Sequence, residues 1–192
     1  EWVQIWKLIS EFLVKVITES QQMNIWTDAL DLLRQTIGKL LQKPDLSVYN
    51  FQMDFFKPFE NILSKVDSEK GDVVLQLTYY IVGTYTKNIH SGWIVIFNIL
   101  KIGLKKKNKP INEQIKMILQ KINEDLSASN TINPELFRGY IECLSHMYLE
   151  PELKQYAFDG ILNLLTKINE QKKKNDSKIN NEEDIKKKLE LF

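Results

Sequence analysis

The chain has 192 residues, 43% hydrophobic and 27% charged, with a formal net charge of +1 at pH 7. That is enough chain for one domain with a sizeable core, and the near-neutral balance excludes a global field that would gather nucleic acid. Apart from Arg34 and Arg138 the cations are all Lys, which weakens bidentate phosphate recognition, and the single Cys143 excludes an internal disulfide framework and fits a reducing compartment.

Hydrophobic periodicity predicts helices throughout, and no stretch reads as a strand ladder. The first helix runs from about Trp2 to Thr18, with Trp2, Ile5, Trp6, Ile9, Phe12, Leu13 and Val16 on one apolar face. The second covers about Asn24 to Gln42, with Ile25, Ala29, Leu32, Leu33, Ile37, Leu40 and Leu41 inward, and Lys43-Pro44-Asp45 stops it. The third starts near Ser47 and reaches Val66, with Phe51, Phe55, Phe59, Ile62, Leu63 and Val66 inward. Pro58 lies inside it and cannot donate to the carbonyl of Asp54, so a kink or break is expected there. The fourth spans about Gly71 to Thr86, with Val74, Leu77, Ile81 and Tyr85 inward.

A turn follows at Asn88 to Gly92. Asn88 suits a left-handed helix end, Ser91 suits an N-cap, and Gly92 lets Trp93 approach the preceding helix. The fifth helix then carries Trp93, Ile96, Phe97 and Leu100 on one face and ends near Lys105. Lys105-Lys106-Lys107-Asn108-Lys109-Pro110 is a basic turn. The sixth helix runs to about Leu126 on Ile111, Ile115, Ile118, Leu119 and Ile122. Ser127 to Asn133 reads as a polar loop. Pro134 opens the seventh, with Phe137, Ile141, Leu144 and Tyr148 inward. Pro151 opens the eighth, with Leu153, Tyr156, Ala157, Ile161, Leu164, Leu165 and Ile168 inward.

Eight helices in pairs, each pair taking roughly 40–45 residues, have the period of HEAT and armadillo repeats. The expected fold is all-α: a right-handed α-solenoid fragment of about four helical pairs, with an irregular helical bundle as the alternative. The expected organisation is a helical-repeat domain over residues 1–170, a charged linker over 171–181 and a terminal helix over 182–192 with Ile185, Leu189 and Phe192 as a narrow stripe.

No apolar run reaches the roughly 18–20 residues of a membrane span; Gly92 to Ile102 is broken by Asn98 and Lys101. The chain opens at Glu1 directly into a helix with no secretory leader pattern. An excised piece of a larger cytosolic protein is the expectation.

Three stretches carry a resemblance. Asn88-Ile89-His90-Ser91-Gly92-Trp93 with Ile96-Phe97 is similar to a motif in the helical regions of the large exchange factors for Arf GTPases, the brefeldin-A-inhibited, Sec-seven-type family. Ala29-Leu30-Asp31-Leu32-Leu33-Arg34-Gln35 resembles that family's Ala-Leu-Asp-Ser-Leu-Arg-Gln, and Phe51-Gln52-Met53-Asp54-Phe55-Phe56-Lys57-Pro58-Phe59-Glu60 resembles its Phe-Gln-Lys-Asp-Phe-Leu-Arg-Pro-Phe-Glu. Order and spacing agree across residues 1–104. The motif residues singled out are Asn88, Ser91, Gly92, Trp93, Phe97, Asp31, Arg34, Pro58 and Phe59. His90 stands where the family usually has Arg.

The resemblance implies a regulatory region downstream of the catalytic domain, without exchange activity of its own; no stretch matches that domain and its glutamate finger. It implies action in membrane recruitment or autoregulation in Golgi vesicle traffic, peripheral at Golgi or trans-Golgi membranes. The implied partners are the other domains of the parent factor, an Arf-family GTPase or an anionic membrane surface, with no nucleic acid. The alternative is a generic HEAT-like interaction scaffold unrelated to Arf.

The residues themselves point to no catalytic, cofactor or metal site. His90 and His146 have no metal-ligand spacing with each other or with Cys143, and the glycines form no phosphate loop. Lys105, Lys106, Lys107 and Lys109 are the candidate membrane contact, worth on the order of 1 kcal/mol per Lys near anionic lipid. Asp31 and Arg34, at i and i+3, suit a surface ion pair with Gln35 beside it.

Overall fold

The structure, a computed structural model, describes the backbone of residues 2–43, 51–128 and 133–189, and the side chains of residues 4–43, 51–127, 133–170 and 172. Among these residues regular structure consists of eight α-helices and a 3-10 turn, with no strand. The helices are α1 (Trp2–Glu19), α2 (Met23–Leu41), α3 (Phe51–Lys65), α4 (Ser68–Tyr85), α5 (Gly92–Lys105), α6 (Lys109–Ala128), α7 (Pro134–Tyr148) and α8 (Lys154–Leu189). The protein is all-α, as the periodicity predicts. The expected stop at Pro44-Asp45, the start near Ser47, the middle of the polar loop, the face of Trp2 and the stripe of Ile185, Leu189 and Phe192 lie outside the described residues.

Two compact units divide at Cys143 and Leu144, inside α7. In the second unit α8 is continuous from Lys154 to Leu189. Residues 171–189 lie within that helix. Pro151 sits in the turn before α8. The backbone amide of Leu153 donates to Glu150 and that of Ala157 to Leu153, which starts the helix. Among the described side chains, Ala157 and Leu164 of α8 and Leu153 just before it are buried, while Leu165 is exposed.

In the first unit α1 pairs with α2, α3 with α4, and α5 with α6. Across pairs, α1 packs on α3 and α3 on α5, while α2 packs on α4 and α4 on α6. Like helices run parallel. Gln52 near the start of α3 meets the turn before α5, and Lys106 just past α5 meets Val66 just past α3. Gly71 near the start of α4 lies against Ile111 near the start of α6, and Gly38 near the end of α2 lies against Tyr85 at the end of α4. This is the neighbour pattern that stacked helical pairs produce.

The core is apolar, with Phe56, Phe59, Ile62, Leu63, Leu75, Ile81, Ile96, Ile99 and Leu100 fully buried. The α6 stripe is as expected: Ile111, Ile115, Ile118, Leu119 and Ile122 are all buried. Two helices are rotated from their expected faces. In α1 the buried positions are Trp6, Ser10, Leu13, Val14 and Ile17, and Ile5, Ile9 and Phe12 face solvent. In α2 Trp26 and Leu30 are buried, while Ile25 and Leu32 are exposed. A smaller rotation in α7 buries Leu136, Tyr140 and Met147 beside Leu144 and exposes Tyr148.

Long-range capping ties the stack together. Asp67 caps α4 by accepting from the Lys70 amide at 3.1 Å. The Lys70 ammonium donates to the carbonyls of Ile17 at 2.9 Å and Ser20 at 2.7 Å, which end α1. A cation there meets both the unpaired carbonyls and the negative end of the helix dipole. α3 runs unbroken through Pro58. The carbonyl that Pro58 leaves without its helical partner, that of Asp54, accepts from Trp6 Nε1 of α1 at 2.8 Å. The Trp6 ring also meets Phe55 edge-on, with centroids 5.9 Å apart.

Candidate functional site

Two of the three motif stretches meet in space. Phe51–Glu60 forms most of α3, and Asn88–Phe97 forms the turn and first half of α5, packed on α3. Gln52 makes the junction. Its Oε1 accepts from the His90 amide at 2.6 Å and, at a longer 3.5 Å, from the Gly92 amide. Its Nε2 donates to the Asn88 carbonyl at 2.7 Å. One buried side-chain amide thus satisfies both faces of the turn, where an unmatched buried group would cost about 1–3 kcal/mol.

This arrangement corrects the expected capping. Asn88 closes a 3-10 turn, Thr86–Asn88, and Lys107 is the sole non-glycine with positive φ among the described residues, so Asn88 is not left-handed. Ser91 makes no side-chain cap, and its Oγ is buried without a hydrogen-bond partner. The amide that caps α5 comes instead from Gln52, far back in sequence. Gly92 faces α3 and not the preceding helix: a Cβ there would lie 2.6 Å from the Phe56 ring, itself fully buried. A side chain at position 92 would push α5 off α3.

Behind the turn, Trp93 is buried to 1% exposure, and its ring lies 6.0 Å from that of Phe97. Phe97 in turn lies against Gly139 of α7, where an added Cβ would come within 2.1 Å of the ring. Pro58 and Phe59 are buried on α3. Asn88 and His90 remain exposed. The cluster is a packed joint with a neutral amide at its centre, and it holds no nucleophile poised against a base.

The third stretch lies elsewhere. Asp31 Oδ1 accepts from Arg34 Nε at 2.7 Å, and Asp31 Oδ2 accepts from Gln35 at 2.6 Å, all on α2. The Arg34 guanidinium stacks over Tyr80 of α4, 4.7 Å from the ring centre. The hydrogen bond from Arg34 holds the Asp31 carboxyl below the usual carboxylate range. Arg34 joins one helical pair to the next by stacking, while its ion pair stays within α2.

The lysine turn is not uniformly solvated. Lys106 Nζ donates to the Val66 carbonyl at 2.7 Å, tying the end of α5 to the end of α3. Lys107 takes φ 49° to reverse the chain, and Asn108 Oδ1 caps α6 by accepting from the Ile111 amide at 3.2 Å. Lys105 and Lys109 are exposed. Cys143 is fully buried, and burial pushes its thiol up to about 12. Among the described residues no cluster of His, Cys, Asp or Glu has metal-holding geometry, and no helix is long and apolar enough to cross a membrane.

Sequence reasoning missed Gln52 and Lys70 as joint residues. The available signal was weak: each is a polar residue standing at an inward helical position.

A family model described as Sec7-like HDS, of the Mon2/Sec7/BIG1-like proteins, matches residues 39–121. That interval contains Gln52, Pro58, the Asn88–Trp93 turn and Phe97. Residues 39–121 are thus similar to the Sec7-like HDS family.

Relatives agree with the HDS match. Brefeldin A-inhibited guanine nucleotide-exchange protein 1 of Homo sapiens is 32% identical over 114 residues, 59% of this chain and 6% of that protein. The ADP-ribosylation factor guanine nucleotide-exchange factor sec71 of Schizosaccharomyces pombe is 34% identical over 109 residues, 56% of this chain and 6% of its own length. Brefeldin A-inhibited guanine nucleotide-exchange protein 4 of Arabidopsis thaliana is 28% identical over 169 residues, 88% of this chain and 9% of the relative. The chain therefore spans under a tenth of the relatives it matches, and the HDS joint described above is a small part of such proteins.

Proposed function

We propose that this chain is a non-catalytic helical region of a large Arf guanine nucleotide exchange factor, acting in membrane recruitment or autoregulation at Golgi membranes. The match of residues 39–121 to the HDS family carries this reading, and the exchange-factor names of the relatives support it. Its chemistry is positional. A joint built from a neutral amide, a glycine contact and a buried tryptophan holds two helical pairs in fixed register, and a fixed register is what a scaffold for other domains needs. Asp31, Arg34, Pro58, Phe59, Asn88, Ser91, Gly92, Trp93 and Phe97 are proposed as structural residues of that scaffold. The regulated partners are the remaining domains of the factor and an Arf-family GTPase.

A fluorescence assay of nucleotide release from Arf tests this. Residues 1–192 alone should leave the intrinsic rate unchanged, and the polypeptide that contains them should accelerate it. Acceleration by the isolated region, or none by the longer polypeptide, overturns the reading. Recruitment is assigned to Lys105, Lys107 and Lys109, the exposed lysines around the inward Lys106. Co-sedimentation with anionic liposomes should be weak and largely gone by ~0.5 M salt, where the Debye length is a few Å. If the variant with Lys105→Glu, Lys107→Glu and Lys109→Glu sediments as well as the parent, these residues make no membrane contact.

A further inference from the structure

The outer flank of the first helical pair is apolar and uncovered. On α1, Ile5, Leu8, Ile9 and Phe12 recur at i, i+3, i+4 and i+7 with 46%, 70%, 46% and 65% exposure. On α2, Leu32 is 50% exposed. Counting back from the short α1–α2 connection puts Leu32 level with the stretch between Ile9 and Phe12.

The next pair shows what covering does. α3 is packed by α1 on one side and α5 on the other, and among the described residues it exposes no large hydrophobic side chain. α4, packed by α2 and α6, exposes Tyr80 alone, and Arg34 lies over that ring. α1 has α3 on one side and, among the described residues, no helix of the unit packed in the corresponding place on the other. Its apolar residues nevertheless continue around to that side, as an interior member of the stack requires and a terminal cap does not.

We propose that this face docks one more helical pair of the same polypeptide, stacked on α1–α2 as α3–α4 is stacked beneath it. The occupant follows from the repeat. Its first helix lies parallel to α1, inserts an apolar stripe against Leu8 and Phe12, and continues the layer of α1, α3 and α5. The proposal rests on the exchange-factor reading for the source of that pair, because the chain spans only 6–9% of the relatives it matches.

Photocrosslinking tests it. A benzophenone amino acid replaces Leu8 or Phe12 in the polypeptide that contains residues 1–192, and the irradiated monomer is digested and sequenced by mass spectrometry. Helical circular dichroism equal to the parent's in each variant confirms an undisturbed fold. Crosslinks should join residue 8 or 12 to a helical segment of the same molecule outside residues 1–192. Crosslinks only to a second copy, only to another protein or only to lipid assign the face to that partner and overturn the proposal. No crosslink at either position means a solvated face and overturns it too. The exchange assay is read on the same sample, so activity without an internal crosslink removes this inference and leaves the exchange-factor reading standing, and an internal crosslink without activity does the reverse.

Discussion

The two turns that bound α5 perform the same mechanical task with different chemistry. The leading turn, Asn88–Gly92, is tied to the start of α3 by the neutral amide of Gln52. The trailing turn is tied to the end of α3 by the Lys106 ammonium on the Val66 carbonyl. An amide both donates and accepts, so it can satisfy a turn that presents an N–H and a C=O together. A helix C-terminus presents only carbonyls, and a cation suits it. The side chain at each joint is therefore matched to the polarity of the backbone it meets. A lysine-rich segment can serve inward as well as outward.

The largest expected effect comes from removing the packing that both turns serve. Trp93→Ala should cost roughly 3–5 kcal/mol, a large part of the ~5–15 kcal/mol available to a domain, while His90→Ala on the exposed turn should cost under ~1 kcal/mol. Thermal melts side by side check this, and equal melting temperatures would place Trp93 outside the core. Next come the two tethers. Gln52→Leu leaves the His90 amide and the Asn88 carbonyl bare and should cost about 1–3 kcal/mol with little salt dependence. Lys106→Met keeps the stem, exposes a carbonyl that water can reach and should cost about 1 kcal/mol, less at high salt. Denaturant melts at two salt concentrations separate them; a larger, salt-insensitive loss for Lys106→Met would reverse the comparison.

The smallest effect concerns Cys143, beside the α5 layer. Its folded thiol is held up to about 12 against an ordinary 9.0. The folded state keeps its proton where the unfolded chain has lost it, so this contribution is complete below about pH 9 and is lost as pH rises towards about 12. At pH 8 the thiol should react with a disulfide reagent only as fast as the protein opens. Fast labelling of the native protein would show a thiol more accessible than its burial allows.

Helix positions and most of the core were legible because Ile111, Ile115, Ile118 and Ile122 or Trp93, Ile96 and Leu100 leave one choice of face. α1 was not. It is apolar over most of its circumference, and periodicity alone selected Ile5, Ile9 and Phe12 where packing on α3 selects Trp6, Leu13 and Ile17. Capping of α5 was misread for a related reason. Ser91 is a residue type favoured at an N-cap, but the competing acceptor comes from Gln52, and no local window contains it. The motifs were visible as strings; that two of them form one joint was visible only in three dimensions.

Pro58 gives the hydrogen-bond ledger of α3 an outside signatory. The Asp54 carbonyl is bare within its own helix and is completed by a tryptophan donor from α1, 48 positions earlier in sequence. Donor and acceptor are orphans apart and a pair together: Trp6 removed leaves an empty acceptor, and an N–H restored at position 58 makes Trp6 compete for it. Secondary structure in the second helical pair is thus finished by the first. The smallest piece of this stack with complete backbone accounting in α3 is two pairs and not one, which sets a lower bound on where the chain can be divided and still hold α3 as it is.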